Sequence, residues 1–245
     1  MENLVSNWYN WRSVPDDYIF PPETRPGNPH VPLAESISVI DLSQPDKGDP
    51  TLTIQKIIKA AQEFGFFLVH AVHISYIYIY ILVFFRFGER TRKFTMTCVM
   101  IENIGDQSWD SGQYDLIDET MSVWKEFFQL PADAKQHLYT EGFTAKDCWL
   151  ATSTLNYVTE KVHLWKVALR HSFHPLEKWQ YRWPQTPARY QECVGACSVE
   201  VKKLGSRILR LISEGLGLHA EYLEGEYSQA TILSANHMQH ILNQN

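Results

Sequence analysis

Three pairs of histidines stand at His-x-x-His spacing, His70/His73, His171/His174 and His237/His240, and each could present two imidazoles to one metal ion. A redox or hydrolytic metal also needs a carboxylate or thiolate in the same pocket, and no local segment offers all three ligand types. As isolated short matches the pairs read as solvated or hydrogen-bonded histidines. His219-Ala220-Glu221 spells His-x-carboxylate, two of the three ligands of a facial triad for non-haem iron, provided both side chains project one way from a strand. The triplet follows Gly215-Leu216-Gly217 and leads into Tyr222-Leu223, which is the context of a helix end, so it reads as a capping or surface element. Cys193 and Cys197 lie one helical turn apart, with Cys197 in an apolar stripe, and read as core packing. No Gly-rich phosphate loop, nucleophile elbow or His-Glu-x-x-His occurs, and the 28 Asp and Glu are too scattered to pick an acid–base pair. Spacing alone therefore assigns no catalytic and no metal-ligating residue.

The elements that would have to position such groups are easier to place. Residues 12–35 are dense in proline and interrupt every period, which predicts an extended lead-in over the surface. Residues 36–42 (SISVIDL) read as a short buried strand. From Thr51, Ile54, Ile57, Ile58, Ala61 and Phe64 recur at helical spacing, with Thr53 as a candidate N-cap and Gly65 as the stop, and Phe66 to Val69 resumes a strand. Ile117, Met121, Trp124 and Phe128 mark one face of a helix closed by Pro131, and a Pro-initiated helical piece follows to Leu138. Residues 155–159 and 162–169 are short strand candidates. The longest helix carries Tyr190, Val194, Cys197, Val201, Leu204, Ile208 and Leu211 at a three-or-four spacing, punctuated by Gly215 and Gly217, and residues 231–235 read as one more strand.

Between His70 and about Tyr114 the texture changes. Residues 74–85 (ISYIYIYILVFF) alternate Tyr and Ile in a strand-like way, but both types are bulky, so no wet face exists, and a basic cluster, RFGERTRK, lies beside the run. At 12 residues this run is too short for a membrane span, which needs about 20.

Composition narrows the function classes. With 245 residues, 44% hydrophobic and 20% charged, the chain is globular, and Lys+Arg 22 against Asp+Glu 28 gives a net charge of −6. That balance disfavours nucleic acid as a partner. Four cysteines without paired CxxC spacing fit a reducing compartment, and the first residues lack the basic start and apolar run of a secretory signal, so the expected location is cytoplasmic.

Six segments in colinear order carry a resemblance: SVIDLS (38–43), IIKAAQEFGFFLV (57–69), LIDETMSVWKEFFQLPADAK (116–135), HPLEKW (174–179), WPQTPARYQE (183–192) and SVEVKKLGSRILRLISEGLGL (198–218). Together they resemble the N-terminal region of plant iron(II)- and 2-oxoglutarate-dependent dioxygenases, in particular the hyoscyamine 6-dioxygenase-like members. The resemblance implies an α+β fold: a mainly helical N-terminal region with a few short strands, packed against a double-stranded β-helix, or jelly roll, of which this chain would hold only the start. It divides the chain into 1–69 and 116–230, the two parts of the N-terminal domain; 70–115, an atypical insertion where the family has a short connection; and 231–245, the start of the jelly roll. An alternating TA tract read in frame gives Tyr-Ile-Tyr-Ile, as at Tyr76 to Ile81, so the insertion is expected to be translated non-coding sequence.

The resemblance further implies iron(II) and 2-oxoglutarate as cofactors of intact members and a small plant metabolite, of alkaloid-like type, as substrate. Asn236 matches the Asn of the family's Asn-x-Tyr-Pro segment and is the one cofactor-binding candidate, although Met238 stands where the Tyr that helps hold 2-oxoglutarate belongs. The iron-binding His-x-Asp, the distal His and the Arg-x-Ser that grips the co-substrate have no matching positions. The expectation is a fragment inactive as written, its helical faces partly wet and its solubility low, or alternatively a non-catalytic module that docks to an intact family member. Tyr157 and Trp165 could border a ligand in a complete protein, but aromatic residues there are more often buried.

Overall fold

The computed structural model describes residues 15–25, 38–42, 49–71, 74–84, 95–102, 116–139, 147–153, 159–164, 166–227 and 232–238. Its first unit is a strand–helix–strand crossover. Strand β1 (Val39–Asp41) leads to helix α1 (Thr51–Phe64), which returns the chain to β2 (Phe66–Ala71), parallel to β1 with Ile40 opposite Val69. Parallel neighbours need such a crossover, because a tight turn can only reverse a strand.

The sequence explains where α1 starts and stops, with one correction. Thr53 is inside the helix. The first turn is set two residues earlier, where the Asp49 carboxylate accepts from the backbone N–H of Thr51 at 3.0 Å and from its hydroxyl, and these bonds hold the Asp49 carboxyl below its ordinary value. At the other end Gly65 has φ +74° and its N–H bonds to the Ala61 carbonyl at 3.1 Å, so the glycine closes the helix in the left-handed conformation other residues resist. Ile57 and Ala60 are fully buried between.

The segment with the changed texture forms strands. Strands β3 (Ile74–Phe84) and β4 (Thr95–Glu102) continue from β2 as an antiparallel meander, giving a sheet in the order β1-β2-β3-β4. The Tyr/Ile alternation thus pairs within the chain, with Tyr80 opposite Leu68 on one side and Met100 on the other.

Helix α2 (Leu116–Gln129) places Asp118 and Glu119 in its first turn, where carboxylates oppose the positive end of the helix dipole. Trp124 and Phe128 are buried as expected, but Val123 and Phe127 are buried more deeply, so the inward stripe is rotated by one position from the one the spacing suggests. Pro131 precedes the short helix α3 (Ala132–Lys135), whose Lys135 is completely buried. Its ammonium donates to the Phe128 carbonyl at 2.5 Å, satisfying a C-terminal carbonyl of α2, and burial pulls its pKa down to about 8.

A second, antiparallel sheet has the order β5-β6-β7, formed by β5 (Cys148–Thr152), β6 (Lys166–Ser172) and β7 (Ile232–Met238). Strand β5 carries no alternation, because every residue in it is buried, and the sequence pattern did not reveal it. Strand β6 begins four residues later than the expected start at Val162. The expected strand over 155–159 falls mainly outside the described residues; Thr159 lies in a helical turn. After β6 come a one-turn helix, α4 (Leu176–Trp179), the long α5 (Tyr190–Gly215) and α6 (Tyr222–Tyr227).

Helix α5 joins two separate cores. Its first turns put Tyr190, Cys193 and Val194 among Val123, Phe127, Leu150, Val167, Leu169 and Trp183. Its last turns put Leu204, Ile208, Leu211 and Ile212 among Ile40, Ile57, Phe67 and Val69. The expected surface lead-in also needs correction at one residue: Tyr18, in a helical turn at Asp16–Tyr18, is 2% exposed and belongs to the first core. Large apolar side chains do remain in water, Leu52 at 70% and Tyr181 at 61% exposure.

At the α1–α5 crossing a Cβ on Gly215 would stand 2.6 Å from Ile58 Cγ1 and 2.9 Å from Ile54 Cγ2. Both partners are β-branched and stiff, so Gly215→Ala should cost about 1–3 kcal/mol of stability, read as a lowered urea midpoint. Replacing Lys135 by Met, which leaves the Phe128 carbonyl without its donor, should cost about 1–3 kcal/mol in the same measurement.

Candidate functional site

The second sheet carries the one cofactor-binding candidate that the sequence offers. Strand β7 pairs with β6 in a register that sets Asn236 opposite Ala168, His237 opposite Val167 and Met238 opposite Lys166. Behind the sheet Val167 and Leu169 point into the first core, while Lys166, Arg170 and Ser172 are half-buried.

One of the histidine pairs has a defined environment. His171, on β6, is 1% exposed, its ring 4.3 Å from that of Trp183, and its Nε2 lies 3.1 Å from the Tyr190 hydroxyl. Burial pushes the imidazole down to about 3 and the Tyr190 phenol well above its ordinary value, so both are neutral and the phenol donates to Nε2. This bond ties β6 to the start of α5. Trp183 adds a second tie, its indole N–H donating to the Ser172 carbonyl at 2.9 Å.

The connection from β5 to β6 is held by a polar knot. Ser153 sits just past β5 at φ +59°, the left-handed region that a serine adopts only when its surroundings enforce it. Its N–H reaches the Lys166 carbonyl at 2.7 Å, its hydroxyl donates to Glu160 at 2.5 Å and accepts from the Leu164 N–H at 2.6 Å. Glu160 also meets His163 Nδ1 at 3.2 Å, and the His163 ring leans on Tyr18 at 5.1 Å. Serine and histidine here contact the same carboxylate oxygen rather than each other, so the trio positions a loop and is not a nucleophilic relay.

The remaining sequence candidates do not converge. His174 is three residues past His171, beyond the end of β6, and its pKa is lowered by burial first and then by the nearby charge of Lys202, a neighbour that also repels a metal cation. His219 and Glu221 are exposed in the turn between α5 and α6, with His219 Nδ1 turned back to the Glu221 N–H at 3.4 Å. His70 stands opposite Asp41 in the backbone register of β1 and β2. Cys193 and Cys197 are buried in α5, and burial raises the Cys193 thiol. His73, His240, Tyr157 and Trp165 lie outside the described residues. Among the described residues no three His, Cys, Asp or Glu side chains come together as a metal cluster. The His171–Tyr190 bond, the Ser153 knot and the buried Lys135 have no counterpart in any local sequence pattern, since each joins residues on different elements.

No family model matches the chain. Curated relatives do. The chain is 33% identical over 245 residues to hyoscyamine 6-dioxygenase of Hyoscyamus niger, covering 97% of this chain and 58% of the relative. It is 30% identical over 231 residues to protein DOWNY MILDEW RESISTANCE 6 of Arabidopsis thaliana, covering 92% and 54%. It is 29% identical over 222 residues to flavanone 3-dioxygenase 2 of Oryza sativa subsp. japonica, covering 89% and 52%. The chain thus spans a little over half the length of these relatives. Among solved structures, JOX2 in complex with 2OG, Fe and JA matches 93% of this chain and 53% of its own at a TM-score of 0.58 and 22% identity, which speaks for the fold. The dioxygenase for auxin oxidation 1 from Arabidopsis thaliana matches 83% and 68% at a TM-score of 0.50 and 15% identity.

The neutral, enclosed His171 makes a pH prediction. Its folded value lies below the unfolded 6.5, so the unfolded chain binds the extra proton between those limits and stability falls as pH drops below about 6.5. Denaturant midpoints should decline through pH 6 to 4 with a contribution of up to about 1.4 kcal/mol per pH unit. The His171→Phe variant should lack that part of the slope.

Proposed function

Since the chain is a homologue of the plant 2-oxoglutarate-dependent dioxygenases along nearly all of its length, we propose that it is the N-terminal part of a member that hydroxylates or oxidises a small plant specialised metabolite of alkaloid-like type, in the cytoplasm. The observation that carries this reading is the colinear similarity over 97% of the chain to a dioxygenase. The matching fold over 93% of the chain supports it. Among the described residues no helix is long and apolar enough to cross a membrane.

The described residues do not fit the iron that the family implies. The enclosed imidazole of His171 is committed to Tyr190 and lacks a carboxylate, His174 shares its surroundings with Lys202, and His219 faces its own backbone. No reaction step is therefore assigned to them. In this reading residues 1–245 are inactive alone and serve as scaffold: α5 and the β5-β6-β7 sheet form a rigid platform, and Asn236 at the end of β7 contributes to holding 2-oxoglutarate when the rest of a barrel is present. Residues 70–115 are read as an insertion of translated non-coding origin. Continuous, abundant transcript reads across codons 69–116 would count against that part.

A second reading is a non-catalytic module that docks to an intact family member. It rests on β7 standing last in the order β5-β6-β7, where among the described strands it is hydrogen-bonded to β6 and has β4 close by. Two measurements separate the readings. The chain supplied with iron(II), ascorbate and 2-oxoglutarate should yield no succinate above a protein-free control, and steady turnover would refute the scaffold reading. Co-purification with a complete homologue, without turnover, would select the docking reading.

A further inference from the structure

The two sides of strand β6 differ. Val167 and Leu169 are packed in the first core and His171 is held beside Tyr190, so strand alternation puts Ala168, Arg170 and Ser172 on the other side of the sheet. The neighbouring strands agree. Leu150 of β5 and Ala235 of β7, both opposite Leu169, lie in that core, which leaves Trp149 and Ser234, both opposite Arg170, on the outer side with it. Trp149 is buried, and Arg170 and Ser234 are half-buried. The Arg170 Nε is enclosed and has no hydrogen-bond acceptor. Other arginines of the chain are committed: Arg182 to Asp147, Arg189 to Glu126 and Arg207 to the Leu42 carbonyl. An enclosed donor without an acceptor costs desolvation that nothing in the fold returns, so its acceptor comes from outside the chain.

We propose that Arg170 and Ser234 form a binding site for a small monocarboxylate on the outer side of the β5-β6-β7 sheet. A guanidinium takes a carboxylate edge-on, two parallel N–H donors to two oxygens, and the edge made by Nε and one Nη is such a fork. Nε is the atom that lacks an acceptor, so this edge is the one the ligand meets. Ser234 stands directly across the ladder, at a cross-strand Cβ separation of about 4.5–5.5 Å, and its hydroxyl adds a donor to the same oxygens. One cation calls for one negative charge. Lys166, the other basic residue on that side of β6, is four residues away, about 13 Å along the strand, and too far to share the anion, so a phosphate dianion would be left half-neutralised. The site goes beyond the dioxygenase reading, because it needs neither iron nor any strand past β7, and like charge turns a protonated amine away from it.

The test uses the full chain and three soluble probes of one shape, benzoate, benzamide and benzylamine, titrated at low salt and followed by ligand-observed NMR. Benzoate should bind roughly tenfold or more tightly than benzamide, and protonated benzylamine should not bind. Arg170→Gln should weaken benzoate about tenfold. Arg170→Lys, which keeps the charge and loses the fork, should recover only part of that, and Ser234→Ala should cost roughly threefold. Because no ion pair holds the Arg170 side chain in the fold, Arg170→Gln should leave the thermal midpoint unchanged or raise it. Absence of benzoate binding, equal affinity for benzoate and benzamide, or undiminished binding by Arg170→Gln would overturn the proposal. A lowered thermal midpoint in that variant would also overturn it, since Arg170 would then be part of the framework.

Discussion

The fold depends on one helix being buried twice. Helix α5 is 26 residues long, roughly 39 Å at 1.5 Å per residue, and its ends lie in different cores. Neither core has a full wall without it. The first would lose Tyr190 and Val194 from under the β5–β6 hairpin, and the second would lose Ile208 and Ile212 from under the β1–α1–β2 crossover. Met121 on α2 touches both clusters and bridges the gap beside the helix. This coupling makes the stability of distant parts of the chain interdependent, since strain that tilts α5 at one end is transmitted to the other by a close-packed interior.

Polar contacts then fix what hydrophobic packing leaves free. A strand can slide against a helix with little change in apolar area, but the Tyr190–His171 bond and the Trp183–Ser172 bond hold β6 in one position on α5. The Ser153 knot does the same for the loop that joins β5 to β6. Such enclosed polar groups contribute modestly to net stability, yet a shifted alternative would leave each of them without a partner.

Much of this was legible in the sequence where a signal is local. The α5 stripe from Tyr190 to Leu211 is buried residue for residue, and Gly65 ends α1 because a positive φ is needed there. Reading failed where two local signals competed or none existed. Thr53 looks like a cap, but the helix already starts at Thr51, whose N–H and hydroxyl are held by the Asp49 carboxylate just ahead of it. Strand β5 has no alternation because both its faces are covered, which removes the period-two signature. Tyr18 sits in a proline-broken stretch that has no period, so only the tertiary structure shows that its ring enters the core. The resemblance pointed to Asn236, and the strand expected at 231–235 is present as β7, Ile232–Met238. The surroundings of that strand were not legible, because His171, Tyr190 and Ser153 acquire their roles from partners on other elements.

The crossover made by β1, α1 and β2 is complete by Ala71, so it takes up only the first two residues of the unusual stretch. Whatever the chain adds next can be accommodated by growth of the sheet at its outer border, as β3 and β4 are, while the inner parallel pair and its helix keep their contacts. Architecture of this kind tolerates added strands at its border in the way a page tolerates a wider margin: the outline changes and the interior text stays in place.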